Sequence, residues 1–181
     1  MRISSDATKK SYLSFMIADE YYAVNVNKVL EVLQIQKLTE IPRMPKYFKG
    51  IINFRGDVLP VIDLRLKFNL PEVEYTTKTI IIVLDIRLND DKSVLVGGIA
   101  DAVKDVIEIN DKEILMLPSF ERQKHAEFLH GMIKSDEKFI LLLKIDEIFS
   151  SDDFALMDIK DQLASDQLSD EFFNEPVESN T

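Results

Sequence analysis

Apolar residues fall along this chain in short runs of strand length, many with period two, and turn residues separate them. Tyr12-Leu13-Ser14-Phe15-Met16-Ile17 and Tyr22-Ala23-Val24-Asn25-Val26 flank Ala18-Asp19-Glu20 and predict a first hairpin. Val29 to Ile35 reads equally as a bent strand or as one helical turn running into a strand, and periodicity does not separate the two. Pro42 and Pro45 then interrupt regular structure, and Pro45 ahead of Lys46 to Lys49 and Gly50 predicts a single helical turn. The next two runs, Ile51-Ile52-Asn53-Phe54 and Val58-Leu59-Pro60-Val61-Ile62, enclose Arg55-Gly56-Asp57 and predict a second hairpin. Pro60 has no N–H to give a ladder, so its strand is expected at an edge or at a bulge. Gly50, Gly56 and Pro60 are thus read as turn and bulge residues. Arg55 is different, because a guanidinium on a tight turn either faces a partner or lies over its own hairpin.

The second half repeats this rhythm. Thr79 to Leu84 is a buried strand by its β-branched content, Asn89 to Lys92 is a turn, and Val94 to Ile99 returns, with Gly97-Gly98 marking weakness or close backbone approach. Val103 to Ile109 follows, Pro118 breaks, Glu121 to Leu129 is a polar helix or loop, and Gly131-Met132-Ile133 leads through Ser135-Asp136-Glu137-Lys138 to Phe139 to Ile145. The halves also match each other in order. Val29-x-Glu31-Val32-Leu33-x-Ile35 answers Val103-x-Asp105-Val106-Ile107-x-Ile109, Pro42 answers Pro118, and Gly50-Ile51-Ile52 answers Gly131-Met132-Ile133. That order predicts a tandem unit of roughly 75 residues and a mainly β chain of two small β-barrels side by side. After Ser150 the pattern changes. Ser150-x-x-Asp153 is a capping box, and Leu156, Ile159 and Leu163 recur at helical spacing, which predicts a short C-terminal amphipathic helix over 151–164, docked on the second barrel or offered to a partner. Residues 1–11 are expected to be a flexible leader and 165–181 an acidic, disordered tail.

Charge and composition narrow the function classes. Nine acids against one lysine after Ser150 give a net of −8, which leaves only −2 of the total −10 for residues 1–150. No basic stripe stands out and the acidic end repels phosphate, so no nucleic-acid partner is expected. With no cysteine, thiolate metal sites, disulfides and cysteine nucleophiles are all excluded. The polar start and the shortness of the apolar runs predict no direct membrane insertion and a cytoplasmic chain. Two histidines, His125 and His130, stand five apart, which suits neither a relay nor two ligands on one helical face. Asp90-Asp91 and Asp152-Asp153 lack the spacing of a calcium loop, and Gly97-Gly98 lacks that of a phosphate loop. Asp63 and Asp146 close the two later hairpins at matching places, which speaks for structure rather than catalysis. No catalytic set, metal site or cofactor is therefore expected. A small acid–base hydrolase using Asp63 or Glu31 with a histidine is the remote alternative.

Phe48-Lys49-Gly50-Ile51-Ile52-Asn53-Phe54-Arg55-Gly56, followed by Pro60-Val61-Ile62-Asp63-Leu64-Arg65, resembles the signature of the CheW family, the adaptors of bacterial chemotaxis. The likeness runs over roughly residues 12–150, through Tyr22-Ala23-Val24, Val29-x-Glu31-Val32, Asp101-x-Val103 and the closing Leu141 to Ile148, with Ala155-Leu156-Met157-Asp158 family-like as well. It implies two SH3-like β-barrels, the first about 12–70 and the second about 78–150, with exchange of terminal strands left open. It also implies a non-catalytic adaptor that joins the cytoplasmic tip of a methyl-accepting chemoreceptor to the regulatory domain of the chemotaxis histidine kinase, at the inner face of the membrane through receptor arrays. Val26, Glu31 and Arg55 then fall at receptor-binding positions near a groove between the barrels. The kinase would dock on the outer face of one barrel, through residues the resemblance does not identify. A sister chemosensory pathway of motility or development is the alternative. The polar loop from Arg87 to Lys92 and the long end beyond Asp161 depart from the family pattern.

Overall fold

A computed structural model gives the structure of the chain and describes residues 8–88, 91–117 and 127–157. The expectations for 1–7, for the Asn89-Asp90 part of the turn, for 118–126 with Pro118 and His125, and for everything after Met157 lie outside the described residues.

Ten strands stand among the described residues: β1 Lys9–Ile17, β2 Glu20–Asn25, β3 Val29–Gln34, β4 Phe48–Phe54, β5 Asp57–Asp63, β6 Ile80–Arg87, β7 Ser93–Ala100, β8 Ala102–Asn110, β9 Leu129–Ser135 and β10 Lys138–Leu143. Three short helices accompany them, α1 Leu64–Lys67, α2 Ile145–Ile148 and α3 Ser151–Met157. The strands form two five-stranded sheets, in the orders β8-β1-β2-β10-β9 and β3-β6-β7-β5-β4. Mainly β with two β subdomains is thus the observed fold class.

The two orders are the same order. In each sheet a hairpin lies between an antiparallel neighbour on one side, β8 on β1 or β3 on β6, and a parallel neighbour on the other, β10 on β2 or β5 on β7. A second hairpin, β9–β10 or β4–β5, completes the sheet. The tandem unit is therefore β1–β5 and again β6–β10, but each unit's first hairpin is seated on the last three strands of the other unit. The boundaries 12–70 and 78–150 therefore hold only with terminal strands exchanged, the arrangement that the resemblance leaves open. One subdomain is the continuous stretch from Val29 to Ala100, and the other joins the chain's first two strands to its last three. Alternation cannot reveal this, because period two says which face of a strand is buried and not which strand lies beside it.

The cores explain why some strands are apolar on both faces. Along β6, Ile80, Ile82, Leu84 and Ile86 point into a large core between the sheets, while Ile81 and Val83 point into a smaller one inside the second sheet with Ile52, Phe54, Leu59, Val61 and Ile99. A matching core inside the first sheet holds Tyr12, Ala23, Ile109, Ile133, Ile140 and Leu142. A fully buried Leu, Ile, Val or Phe contributes about 1.5–3 kcal/mol, and the inter-sheet core gathers many of these from both sheets, so it fixes the subdomains to each other. Ser14 is one of four buried polar residues, with Asp63, Thr79 and Asp153, among those described. It lies at a bulge between Leu13 and Phe15, where its hydroxyl donates to the Asp105 carbonyl at 2.9 Å and accepts from the Asp105 amide at 3.0 Å.

Several local expectations change. β1 begins at Lys9 and pairs with Asn110, so a flexible leader does not reach residue 11. The first hairpin turns on Ala18 and Asp19 alone, both left-handed at φ 49° and 64°, and Glu20 already belongs to β2. Val29–Gln34 is strand throughout, with a register shift between Val29 and Glu31, so the bent-strand reading of that stretch holds; the one 3₁₀ turn, Val26–Lys28, lies before it. The helical turn after Pro45 is absent: the Phe48 amide closes a tight turn on the Pro45 carbonyl at 3.0 Å, because Phe48 is drawn into the core as the first residue of β4. The C-terminal helix is described only as Ser151–Met157, and its anchor lies on the other subdomain from the one expected.

Gly50 and Pro60 have definite structural reasons. Thr39 and Ile51 exchange both backbone hydrogen bonds, at 3.0 and 2.9 Å, and this brings the Thr39 carbonyl against Gly50, where a Cβ would overlap it. Gly50 also sits at φ 142°, which side chains rarely adopt. Gly131 repeats the arrangement, with Leu115 bridged to Met132 and its carbonyl oxygen 2.8 Å from an added Cβ. Pro60 lies in an inner strand rather than an edge, and the bulge is in the partner strand β4, between Phe48 and Gly50 and so across from Ile62 and Val61. Its partner Ile51 spends both backbone groups on Thr39, so the Pro60 nitrogen faces the side where pairing with β7 starts only at Val61. The missing N–H is thereby harmless.

Candidate functional site

β4 and β5 meet in a two-residue turn, Arg55 at φ 54° and Gly56 at φ 86°, the left-handed pair that suits the twist of a hairpin. The Asn53 side-chain oxygen accepts from the Gly56 amide at 2.9 Å and holds the turn. The Arg55 guanidinium lies 4.9 Å from the centre of the Phe54 ring and donates to Glu31 Oε2 at 3.0 Å. Its side chain is 66% exposed and that of Glu31 40%. Both readings of Arg55 are therefore partly realised: it covers its own hairpin and still presents most of its charge to solvent. An ion pair this open is worth only about 0–1 kcal/mol, so it orients the guanidinium more than it stabilises the fold.

Glu31 lies on β3 and Arg55 at the end of β4, the two opposite edges of the second sheet. Their contact shows that the sheet curls until its edges are a side chain apart. The first sheet places Asp105 where Glu31 stands and Asp136, at φ 53°, where Arg55 stands, so there two acids replace the pair. Val26 is apart from this contact. It opens the 3₁₀ turn where the chain crosses from the first sheet to the second, half-buried against the inter-sheet core. Of the three predicted contact residues the structure joins two, Glu31 and Arg55, and sets the third at the seam. A shallow recess of about 240 Å³ lies at that seam, lined among others by Asn25, Lys28, Lys144 and Asp146. Lys28 pairs with Asp146 at 2.7 Å there, and Asp146 also accepts from the Arg87 amide at 2.8 Å.

Two further clusters bind the subdomains, and neither is readable from spacing. Asp101, at the crossover between β7 and β8, accepts from Arg65 of α1 at 2.6 Å and from the Ala18 amide of the first hairpin at 2.8 Å. Asp153 is buried at 1% exposure, although it caps its own helix with Ser150 as the capping box predicts. It also takes the Lys67 ammonium at 2.6 Å and a short bond from the Tyr47 hydroxyl, so α3 is anchored on the subdomain of β3–β7. Burial pushes the Asp153 carboxyl up, but its bonds to Lys67, Tyr47 and Ser150 outweigh that and leave it below the ordinary carboxylate value. Burial, then Asp153, pushes the Tyr47 phenol up to about 12.

Asp63 is also occupied. It caps α1 through the Arg65 and Leu66 amides at 2.9 and 3.3 Å and accepts from the Tyr75 hydroxyl at 2.9 Å. Burial and then the Asp63 charge hold the Tyr75 phenol above its ordinary value. His130 points outward from β9. Among the described residues no group of three or more His, Cys, Asp or Glu is placed to hold a metal ion, and no helix is long and apolar enough to cross a membrane.

What the geometry offers is a two-subdomain β scaffold whose distinctive chemistry sits on a rim, an outward arginine steadied by a glutamate. Comparison with known proteins supports the scaffold. The family model described as the CheW-like domain matches residues 11–153. The chain is 31% identical to the Chemotaxis protein CheW of Klebsiella aerogenes, over 87% of this chain and 92% of that protein. It is 31% identical to the Chemotaxis protein CheW of Bacillus subtilis, over 80% and 90%. Protein FrzA of Myxococcus xanthus is 28% identical over 79% and 87%. Among solved structures, the scaffolding protein TtCheW from Thermoanaerobacter tengcongensis superposes with a TM-score of 0.70 at 31% identity, covering 81% of this chain and 96% of that one. The chain belongs to the CheW-like family of chemotaxis scaffolds.

Proposed function

We propose that this protein is a non-catalytic adaptor that couples chemoreceptors to the chemotaxis histidine kinase. The family match over residues 11–153 carries the reading. The rim geometry supports the receptor part of it. Arg55 is preorganised by Glu31, Phe54 and the Asn53-held turn, so little side-chain freedom is lost when a partner carboxylate meets it. In this reading Val26, Glu31 and Arg55 contact the cytoplasmic tip of a methyl-accepting chemoreceptor, and the outer face of one subdomain receives the kinase regulatory domain. Holding both partners together raises their effective concentration, and a small receptor shift then biases the kinase between states. The adaptor makes and breaks no bond itself: Asp63, on which a hydrolase would rest, is committed to capping α1 and to Tyr75. The working place is the cytoplasm, at receptor arrays on the inner face of the membrane.

Co-sedimentation with receptor signalling domains and the matching kinase tests the reading. Ternary assembly is expected with the wild type and strongly reduced receptor capture with Arg55→Glu, whose circular dichroism should match the wild type. Full receptor capture by folded Arg55→Glu sinks the site assignment, and no assembly with either partner sinks the adaptor reading. A second reading keeps the same adaptor role in a sister pathway of motility or development, with other receptors. The identity of the receptors that co-sediment separates the two.

A further inference from the structure

The first hairpin belongs to its sheet through the far end of the chain. β1 pairs with β8 from Lys9–Asn110 to Met16–Ala102, and β2 pairs with β10 from Tyr21–Ile140 to Ala23–Leu142. Its immediate successor in sequence, β3, lies in the other sheet. The hairpin continues into the body only through the Val26–Lys28 turn, a single 3₁₀ turn in which the Asn25 side chain accepts from the Asn27 amide at 2.9 Å. A hairpin bound by non-local contacts and joined on by one short hinge can leave its place without unpairing any strand of the second sheet.

The fold itself already shows such a hairpin in another unit's strands. β6–β7 completes the sheet of β3, β4 and β5, and β1–β2 completes that of β8, β9 and β10, with the same strand order and the same parallel and antiparallel neighbours. The three-strand seat therefore accepts a hairpin delivered from a different unit, and nothing in the pairing requires that the unit be on the same chain. A catch holds the hairpin: the Ala18 amide at its turn donates to Asp101, which Arg65 fixes from α1.

We propose that β1–β2 is exchangeable between two copies of this chain, giving a dimer in which each copy's hairpin lies between β8 and β10 of the other. The same ladders and the same catch form in both states, so the balance is set by the hinge and by concentration, and crowding of adaptors into one assembly favours exchange. Interconversion is slow, because the whole β1–β8 ladder must open before the hairpin can move.

Ser11 and Glu108 are cross-strand partners, and the chain has no cysteine of its own. One full-length chain carrying Ser11→Cys and another carrying Glu108→Cys are unfolded, refolded together at high protein concentration, and oxidised; the same chains, each folded alone, are mixed as a control. A disulfide-linked heterodimer from the co-refolded sample, several-fold above the mixed sample, is the expected result. Equal yields in both would mean surface collision and would overturn exchange, as would no heterodimer in either. Light scattering of wild-type chain refolded at high concentration gives a readout that needs no substitution: a dimer that persists on dilution is expected, and monomer at every concentration overturns the proposal.

Discussion

The hairpin tips β4–β5 and β9–β10 are the same piece of backbone with different chemistry. Both turn on two residues with the first left-handed, Arg55 at φ 54° and Asp136 at φ 53°, and both are preceded by a glycine pressed against a bridging carbonyl. One copy then carries the Arg55–Glu31 pair across the rim of its sheet, and the other carries Asp136 and Asp105 at the matching places. What is duplicated is the frame, and what differs is the surface it presents. A contact residue is better sought where two copies of a frame disagree than where they agree.

The frame is tested first, since the largest effects belong there. Gly50→Ala meets the Thr39 carbonyl at a φ of 142° and should destabilise the protein by about 4 kcal/mol in urea unfolding. Gly131→Ala meets Ile114 and Leu115 without a positive φ and should cost less. Equal losses would break the idea that strain adds to overlap only in the first copy.

Asp153→Ala comes next, at about 3 kcal/mol, because it leaves the ammonium of Lys67, whose side chain is only 16% exposed, without its partner. The same cluster sets a pH dependence. Asp153 is held below its ordinary 3.8, so its contribution is present above that value and lost as acid carries the pH down through the folded value. Tyr47 is held at about 12 against an ordinary 10.0, so its contribution is full below 10 and lost as the pH climbs towards 12. Thermal unfolding across pH should show both limbs in the wild type and flatter ones in Asp153→Asn.

Smaller again is the helix that follows each hairpin. α1 is capped by Asp63, whereas Lys144 stands before α2 with no side-chain cap. Asp63→Ala should cost about 2 kcal/mol and Lys144→Ala less than about 0.5 kcal/mol by chemical denaturation. Smallest for stability are the tips themselves. Arg55→Ala and Asp136→Ala should each stay within about 1 kcal/mol of the wild type, while only the Arg55 change weakens receptor capture. Equal loss of capture from both would erase the distinction between the copies.

Much of this was legible in the sequence, and the gaps have physical reasons. The hairpins, the buried strand from Thr79, the tandem unit and the capping box at Ser150 follow from period-two runs, turn residues and spacing, all of which are local. The sheet partners of β1 and β2 do not, since the apolar pattern of Leu13, Phe15 and Ile17 fixes a face and leaves the neighbour open. The turn at Pro45 went the other way from its local signal because Phe48 is worth more in the core than in a helical turn. At the site, Arg55 stood out as an odd residue on a turn, and its partner Glu31 came from family likeness rather than spacing. Lys67, Tyr47 and Arg65 gave no signal, because their roles depend on acids, Asp153 and Asp101, brought from distant parts of the chain.

The interleaving of the two units also sets an order of events during synthesis. Strands β3 to β7 leave the ribosome consecutively and can pair as soon as Ala100 has emerged, whereas β1 and β2, made first, have no β10 to lie against until Leu143 is out. At elongation rates of about 5–20 residues per second, the N-terminal hairpin waits for seconds before both of its edges, on β8 and β10, can be paired. The nascent chain is thus at its most vulnerable to aggregation and to chaperone capture at the end it finished first.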